Sequence, residues 1–438
     1  MRVEKGRAFA YEDAGLVSPF SKIALALCLA VPFFCQTFFA SVLSRSLAIG
    51  ASILLLLISS ARREGRIFLG GSSALFGCLF FLIIVNKNAD LLGGSGLMWT
   101  VLFPCYIFIG ALLNSVERSA WIGFFTKLVA IFAFIHAVIT ITCWIDPNFR
   151  LRFIHQVFFP SMNGALDYKR GFTSHYSTNG IYLAYGLIAV ASLLQQKKTA
   201  SRIVELVVLS FALLLTAKRA HTVFVVISIL FVYLVSNRGK TTEAVYRTGM
   251  IALFAVAAIY VASQYVPEIT RVVERLQDVA DDDTFGSRSE YYKICAQMWR
   301  SRPLLGNGWG SYTREFNTTP LGVFYTSMGS MQMNAHNVYL QMMAEEGLVG
   351  LFLLVAGIIA AVKTGLRAFG IDRDADAREH DADQYLGFCL MIVLFFMLYC
   401  ITGNPFYDIQ TYSVSLLGIA GVEQVSRERE LLRELSTK

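Results

Sequence analysis

The residues best suited to chemistry lie in the last third of the chain, where Met333-Asn334-Ala335-His336-Asn337-Val338-Tyr339-Leu340 runs on to Glu345-Glu346-Gly347-Leu348-Val349-Gly350. His336 stands where a polar segment gives way to an apolar helix. A titratable imidazole at such a boundary reaches both water and lipid, which suits a reaction between a lipid-borne donor and a polar acceptor. A histidine at a helix start that only bonds the neighbouring backbone is the bland alternative. Cations accumulate elsewhere in the chain. Thr216-Ala217-Lys218-Arg219-Ala220-His221 packs three donors into one short turn. Guanidinium stays charged at any physiological pH and can hold a phosphate bidentately. Arg288 opens an expected helix, and a helix start itself favours an anion. Lys169-Arg170-Gly171-Phe172-Thr173-Ser174-His175 adds Arg170 and His175 beside a glycine that permits close backbone approach. Each of these cations could equally be a snorkelling or solvated anchor. Glu345 and Glu346 fall inside an apolar run, where carboxylates are candidates for function or for bracing a helix.

These residues need a membrane to position them. The 438 residues are 55% hydrophobic and only 16% charged, against about 25% charged in soluble domains, and the mean hydropathy is +0.54. Continuous apolar runs recur along the whole length, which selects helices over a barrel. The reading is an all-α polytopic membrane protein of about twelve transmembrane helices, near 22–43, 46–61, 66–85, 96–114, 120–145, 178–196, 202–217, 221–236, 247–266, 337–362, 384–403 and 406–424. The polar N-terminus shows no removable signal peptide. With both termini inside, every inside connection is basic. Arg150, Arg152, Lys169, Arg170, Lys218, Arg219 and the cations of the large loop then lie outside, against that bias. An anionic ligand at the outer boundary would explain them.

The chain reads as one membrane domain, 1–438, with a lid-like outer loop over 267–336. Within that loop Pro267–Ala280 has helical periodicity. Ser287 with Glu290 forms a capping box, and Arg288, Tyr292, Cys295 and Trp299 share one face of the next helix, as on a membrane surface. Pro303 ends it, and Gly306-Asn307-Gly308-Trp309-Gly310 reads as a tight, mobile turn. Asp281–Asp283 lack metal-loop spacing and read as a solvated helix end. His136 reads as a packing residue. Of the eight cysteines only Cys295 lies clearly in a polar loop, and no CxxC pair occurs, so they read as small buried hydrophobes. Walker, GxGxxG, HExxH and nucleophile-elbow patterns are absent, which leaves ATP-driven and hydride chemistry without support.

His336-Asn337-x-Tyr339-Leu340 followed by Glu345-x-Gly347-x-x-Gly350 resembles the signature of the O-antigen ligase and O-antigen polymerase superfamily. Arg288…Trp299…Pro303…Gly306-x-Gly308 resembles that family's outer loop, Lys218-Arg219-Ala220 its Ser-Arg-Gly/Ala turn with lysine in place of serine, and Arg170-x-Phe172…Asn179 the segment before its sixth span. The matches run from about 170 to 350. The resemblance implies a metal-independent inverting glycosyltransferase of the bacterial inner membrane, without cofactor, whose site faces the periplasm. Its donor would be an undecaprenyl-pyrophosphate-linked glycan, and its acceptor lipid A–core or a growing glycan. It implies His336 as general base and Arg219 and Arg288 as the pyrophosphate clamp, with Lys218, Arg170, His175, Tyr292 and Glu345 as substrate-binding candidates. Within the superfamily the ligase branch is favoured over a polymerase of O-antigen or exopolysaccharide repeats. An exporter or flippase of lipid-linked glycan would need mid-span polar residues and symmetry between halves, of which little is visible. A scaffold would leave the outer cations unexplained.

Overall fold

Apolar runs of this length can satisfy their backbone in lipid only as helices, and helices are what the chain forms. The computed structural model describes residues 17–63, 67–91, 94–237, 284–327, 334–369 and 377–436, with isolated positions 242–243, 245–246, 264 and 270. In chain order the described helices of eight residues or more are α1 (Pro19–Phe34), α2 (Val42–Arg63), α3 (Gly71–Val85), α4 (Gly94–Glu117), α5 (Ala120–Ile145), α6 (Tyr176–Gln196), α7 (Ala200–Leu215), α8 (Arg219–Ser236), α9 (Thr284–Ser301), α10 (Ser311–Thr318), α11 (Pro320–Ser327), α12 (Val338–Ala368), α13 (Ala377–Tyr399) and α14 (Ile409–Ser436). Among the described residues there is no strand. Among the described residues seven helices are long and apolar enough to cross a membrane, and α1 and α3 are apolar but shorter. Leu43, Leu47, Leu54, Ile131, Val226, Phe352 and Ile359 lie exposed on α2, α5, α8 and α12, as an outer surface meeting lipid tails requires. The expected span 247–266, the helix Pro267–Ala280 and the aspartates 281–283 lie outside the described residues.

The helices pack in a bundle in which α5 lies on α6, α12 on α3, α1 on α2, and α14 against both α13 and α4. Aromatic side chains fill its centre. Trp99, Phe103, Trp309, Phe406 and Tyr412 pack ring on ring, with Trp99 and Trp309 at 4.5 Å. One end of the bundle is tied by carboxylates that cap helix starts. Glu117 accepts from Ser21 Oγ at 2.7 Å, Glu423 from Ser73 N and Oγ at 2.9 and 2.6 Å, and Glu428 from Ser119 N and Oγ at 2.9 and 2.5 Å. A carboxylate on the exposed N–H groups of a helix start satisfies orphan donors and matches the helix dipole.

Three sequence expectations are corrected in this frame. The first span was expected to reach residue 43, but α1 stops at Phe34, just after Pro32. Arg45 crosses back onto the freed carbonyls of Cys35 (2.7 Å) and Phe39 (2.6 Å). α9 begins at Thr284, so Ser287 lies inside the helix and is not its cap. Glu290 reaches forward to Lys293 at 2.6 Å rather than back to the helix start. The buried stripe of α9 is Tyr291, Ile294, Cys295 and Met298, one step round from the expected face. It packs on Tyr312, Phe316, Ala335 and Ala344 as the core of the segment 284–327, the described part of the expected lid.

Candidate active site

The lid is locked to the bundle by a break in α12. Gly347 has φ 66° and ψ −163°, a combination that essentially only glycine adopts. In an unbroken helix Leu348 N would donate to Ala344 O and Val349 N to Glu345 O. Here Leu348 N donates to Pro303 O at 2.9 Å and Val349 N to Leu304 O at 3.2 Å. Ala344 O accepts from Asn307 N at 3.1 Å, and Glu345 O from Gly308 N at 2.6 Å. The 303–308 loop is thus inserted into the helix ladder, and four bonds to the loop replace two within the helix. A side chain at Gly306 would run into the Glu345–Glu346 backbone. The segment expected to be a mobile turn is therefore pinned. Trp309 beyond it is 1% exposed and stacked on Tyr407 at 4.4 Å.

Glu345 and Glu346 belong to the same lock. Glu345 is fully buried. It accepts from Tyr312 N (3.2 Å), Gln341 Nε2 (3.3 Å) and Tyr407 Oη (2.8 Å), and Glu346 accepts from Asn86 Nδ2 (3.1 Å). The geometry gives Glu345 a bracing part between lid and bundle, away from solvent.

The lock fixes the approach to His336. Asn337 caps α12, its side chain accepting from Leu340 N at 3.0 Å. Val338 N donates to Cys400 O at 2.9 Å and Tyr339 Oη to Met397 O at 2.9 Å. Ala335 N is held by Gln341 Oε1 at 2.9 Å. Between these anchors His336 takes a left-handed backbone, φ 54°. Few non-glycine residues adopt that conformation, at a cost of about 1 kcal/mol. Ala217, one residue before Lys218, is left-handed as well, at φ 56°. It lies in the turn between α7 and α8, where Lys218 is the N-cap and Arg219 the first residue of α8. Strained backbone held by over-determined surroundings is a recurrent feature of functional sites.

Five elements meet here. His336 is half-buried, its ring 6.0 Å from that of Tyr291 on α9. Its imidazole is pushed down to about 4, first by burial and then by the charges of Arg288 and Lys218. Lys218 sits over the Tyr176 ring at 4.3 Å, and Tyr176 stacks on His175 at 4.4 Å. His175 caps α6, its Nδ1 accepting from Ser177 N at 3.2 Å. Burial pushes it down too, followed by Lys218 and Arg170, with His336 also contributing. His221 lies buried in the first turn of α8 with neither ring nitrogen hydrogen-bonded among the described residues. Its ring stands edge-on to Tyr399 at 4.7 Å. Tyr399 in turn approaches Ser177 Oγ at 3.4 Å and lies in the field of Arg288.

Of the residues expected from sequence, His336, Arg288, Lys218 and His175 are brought together. Arg219 follows Lys218 as the first residue of α8, half-buried. Tyr292 is half-buried at the edge of the lid core. Arg170 serves its own loop. It pairs with Asp167 at 3.1 Å and donates to Asn163 O (2.7 Å) and Ser174 O (3.2 Å). Arg150 is 1% exposed and donates to the carbonyls of Gly164 (2.8 Å), Ala165 (2.7 Å) and Thr173 (3.3 Å). Arg150 and Arg170, expected among the cations that serve an anionic ligand, spend these donors on ordering backbone, as Arg45 does. His136, fully buried among Phe33, Phe34 and Tyr182, packs as expected. Tyr176, Tyr291 and Tyr399 escaped the sequence reading. Tyrosines at span ends are common interfacial anchors, so nothing local marked these three.

Lys218 and Arg288, a neutral imidazole and several helix starts make a site that attracts a multiply charged anion and can accept a proton beside it. No curated protein matches this chain. Residues 205–355 match the family model described as O-antigen ligase, a stretch that holds Lys218, Arg219, Arg288, His336 and the Gly347 lock. Over those residues the chain is similar to the O-antigen ligase family.

Proposed function

We propose that this protein ligates an undecaprenyl-pyrophosphate-linked glycan onto a sugar hydroxyl of lipid A–core, at the periplasmic face of a twelve-span inner-membrane bundle with both termini inside. The observation that carries the reading is the pair of cations, Arg288 and Lys218, bearing on a half-buried histidine of strained backbone. A pyrophosphate between them, with Arg219 beside Lys218, would be held as substrate and stabilised as leaving group. His336 takes the proton of the acceptor hydroxyl as its oxygen attacks the anomeric carbon. The bond from that carbon to the pyrophosphate oxygen breaks, and one displacement inverts the centre. The reading needs no metal, because the protein's own cations meet the charge that develops.

A histidine lowered to about 4 in the empty site is neutral at physiological pH but only weakly basic. The incoming diphosphate offsets the two cations that depress it, so donor binding raises its basicity where the base is needed. His175, lowered by overlapping charges, would orient the donor, and Tyr292 would line the approach. A repeat-unit polymerase would use the same clamp and base on a different acceptor.

The test is glycan profiling of a deletion strain complemented with wild type, His336→Ala, Arg288→Ala, Arg219→Ala or Lys218→Ala, with expression verified. Loss of long glycan from lipid A–core, with full-length lipid-linked polymer accumulating, supports ligation through these residues. Single repeats alone would indicate a polymerase. A wild-type pattern in every variant would return the exporter and scaffold readings.

A further inference from the structure

A polar cavity of about 300 Å³ opens in the lid, at the far end of α9 from Arg288, about 15–20 Å away by helical rise. Gln297 and Arg302 approach it from α9 and the residue after it, Arg314 and Glu315 from α10, Asn88 from the turn after α3, with Met298 at its floor. The floor is pre-organised by the lid lock. Asn307 Nδ2 donates to Met298 O (2.7 Å) and Ala344 O (3.1 Å), and Ser311 Oγ donates to Gly308 O (2.5 Å). The rim is different. The Arg302 and Arg314 guanidiniums are exposed and make no ion pair or hydrogen bond among the described residues.

We infer that this cavity is a glycan subsite that takes an acidic sugar, a uronate or a phosphorylated residue, of a chain whose reacting end lies at His336. The inference rests on the glycan-transfer reading for what is delivered there. Two guanidiniums against one carboxylate leave the rim net cationic. Arginine forks match carboxylate and phosphate oxygens bidentately. Gln297 and Asn88 supply amide donors and acceptors, and Glu315 carboxylate acceptors, of the kind that hydroxyl-rich rings need. The cavity also accounts for Arg302 and Arg314, outer cations that neither order a loop nor reach His336. The acidic sugar could belong to the donor glycan or to the acceptor core, and the two sources present the same chemistry.

The full-length protein in detergent is titrated with trigalacturonate and, separately, maltotriose, by saturation-transfer NMR. Trigalacturonate is expected to bind and maltotriose not at equal concentration. The double variant Arg302→Gln/Arg314→Gln should weaken binding about tenfold, and Glu315→Gln should tighten it. His336→Ala should bind as wild type, so this outcome is separable from failure of the transfer reading. Both substituted rim positions are exposed, and an unchanged thermal midpoint confirms the fold. Competition by the lipid-free core oligosaccharide assigns the site to the acceptor, and competition by the released polymer assigns it to the donor. Equal binding of the two trisaccharides, no loss in the double variant, or competition by neither natural glycan would overturn the inference.

Discussion

Replacing Gly347 by alanine tests the lock between lid and bundle. At φ 66° and ψ −163° an alanine costs roughly 1–3 kcal/mol in backbone strain alone. Its Cβ would also overlap Leu304 O and stand 2.7 Å from Gly306 N. Both are backbone atoms, so no rotamer change relieves the clash. The available relief is to straighten α12 and restore its two internal bonds, which expels the loop and forfeits the four bonds that hold it. Strain and overlap burden the closed lid alone, so the lid should be weakened by roughly 2 kcal/mol or more, or about thirtyfold or more in local opening, since about 1.4 kcal/mol is tenfold. Hydrogen exchange of the purified protein in detergent reads this directly. Amides 304–308 and 348–349 should exchange at least thirtyfold faster than in wild type, and transfer should fall with them because Arg288 rides on the lid. Gly77→Ala, where nothing lies within 4 Å of the new Cβ, is the control and should exchange as wild type. Protection within twofold of wild type in Gly347→Ala would show that the ladder insertion does not hold the lid.

Other outcomes follow from the same geometry. Glu345 faces three donors, so Glu345→Leu removes the acceptor of Tyr312 N and Gln341 Nε2 and should cost about 1–3 kcal/mol, read as a lowered thermal midpoint; an unchanged midpoint would sink the bracing role. Free His336 is lowered to about 4, and protonation removes the base, so kcat/KM should stay flat as pH falls through 6.5 and drop only well below it. The acid limb of kcat, with diphosphate bound, should lie higher, and Lys218→Gln should move the free-enzyme limb up; identical limbs near 6.5 in both proteins would refute the charge coupling. Trp309→Ala removes a buried indole stacked on Tyr407 and Trp99 and should cost about 3–5 kcal/mol by denaturant unfolding in detergent. Arg150→Leu should strip protection from the 164–173 backbone while leaving His336 in place, seen as faster exchange confined to that loop.

Hydropathy alone determined that this chain is a bundle of helices, because a backbone in lipid has no other way to pair its polar groups. Residue type alone singled out His336, Arg288 and the Lys218–Arg219 turn, since few side chains can hold a diphosphate or accept a proton near neutrality. Tertiary structure decided how those residues are used. Glu345, Gly347, Gly306 and Gly308 look from sequence like parts of a reactive motif, yet they interlock a loop with a broken helix. That pairing joins residues some 40 positions apart and leaves no local periodicity to read. Arg150 and Arg170 were indistinguishable from ligand-binding cations until their carbonyl partners were visible. The basicity of His336 was beyond reach for the same reason. Composition supplies an ordinary imidazole, whereas its burial and the nearness of Arg288 and Lys218, from two other elements, set its charge.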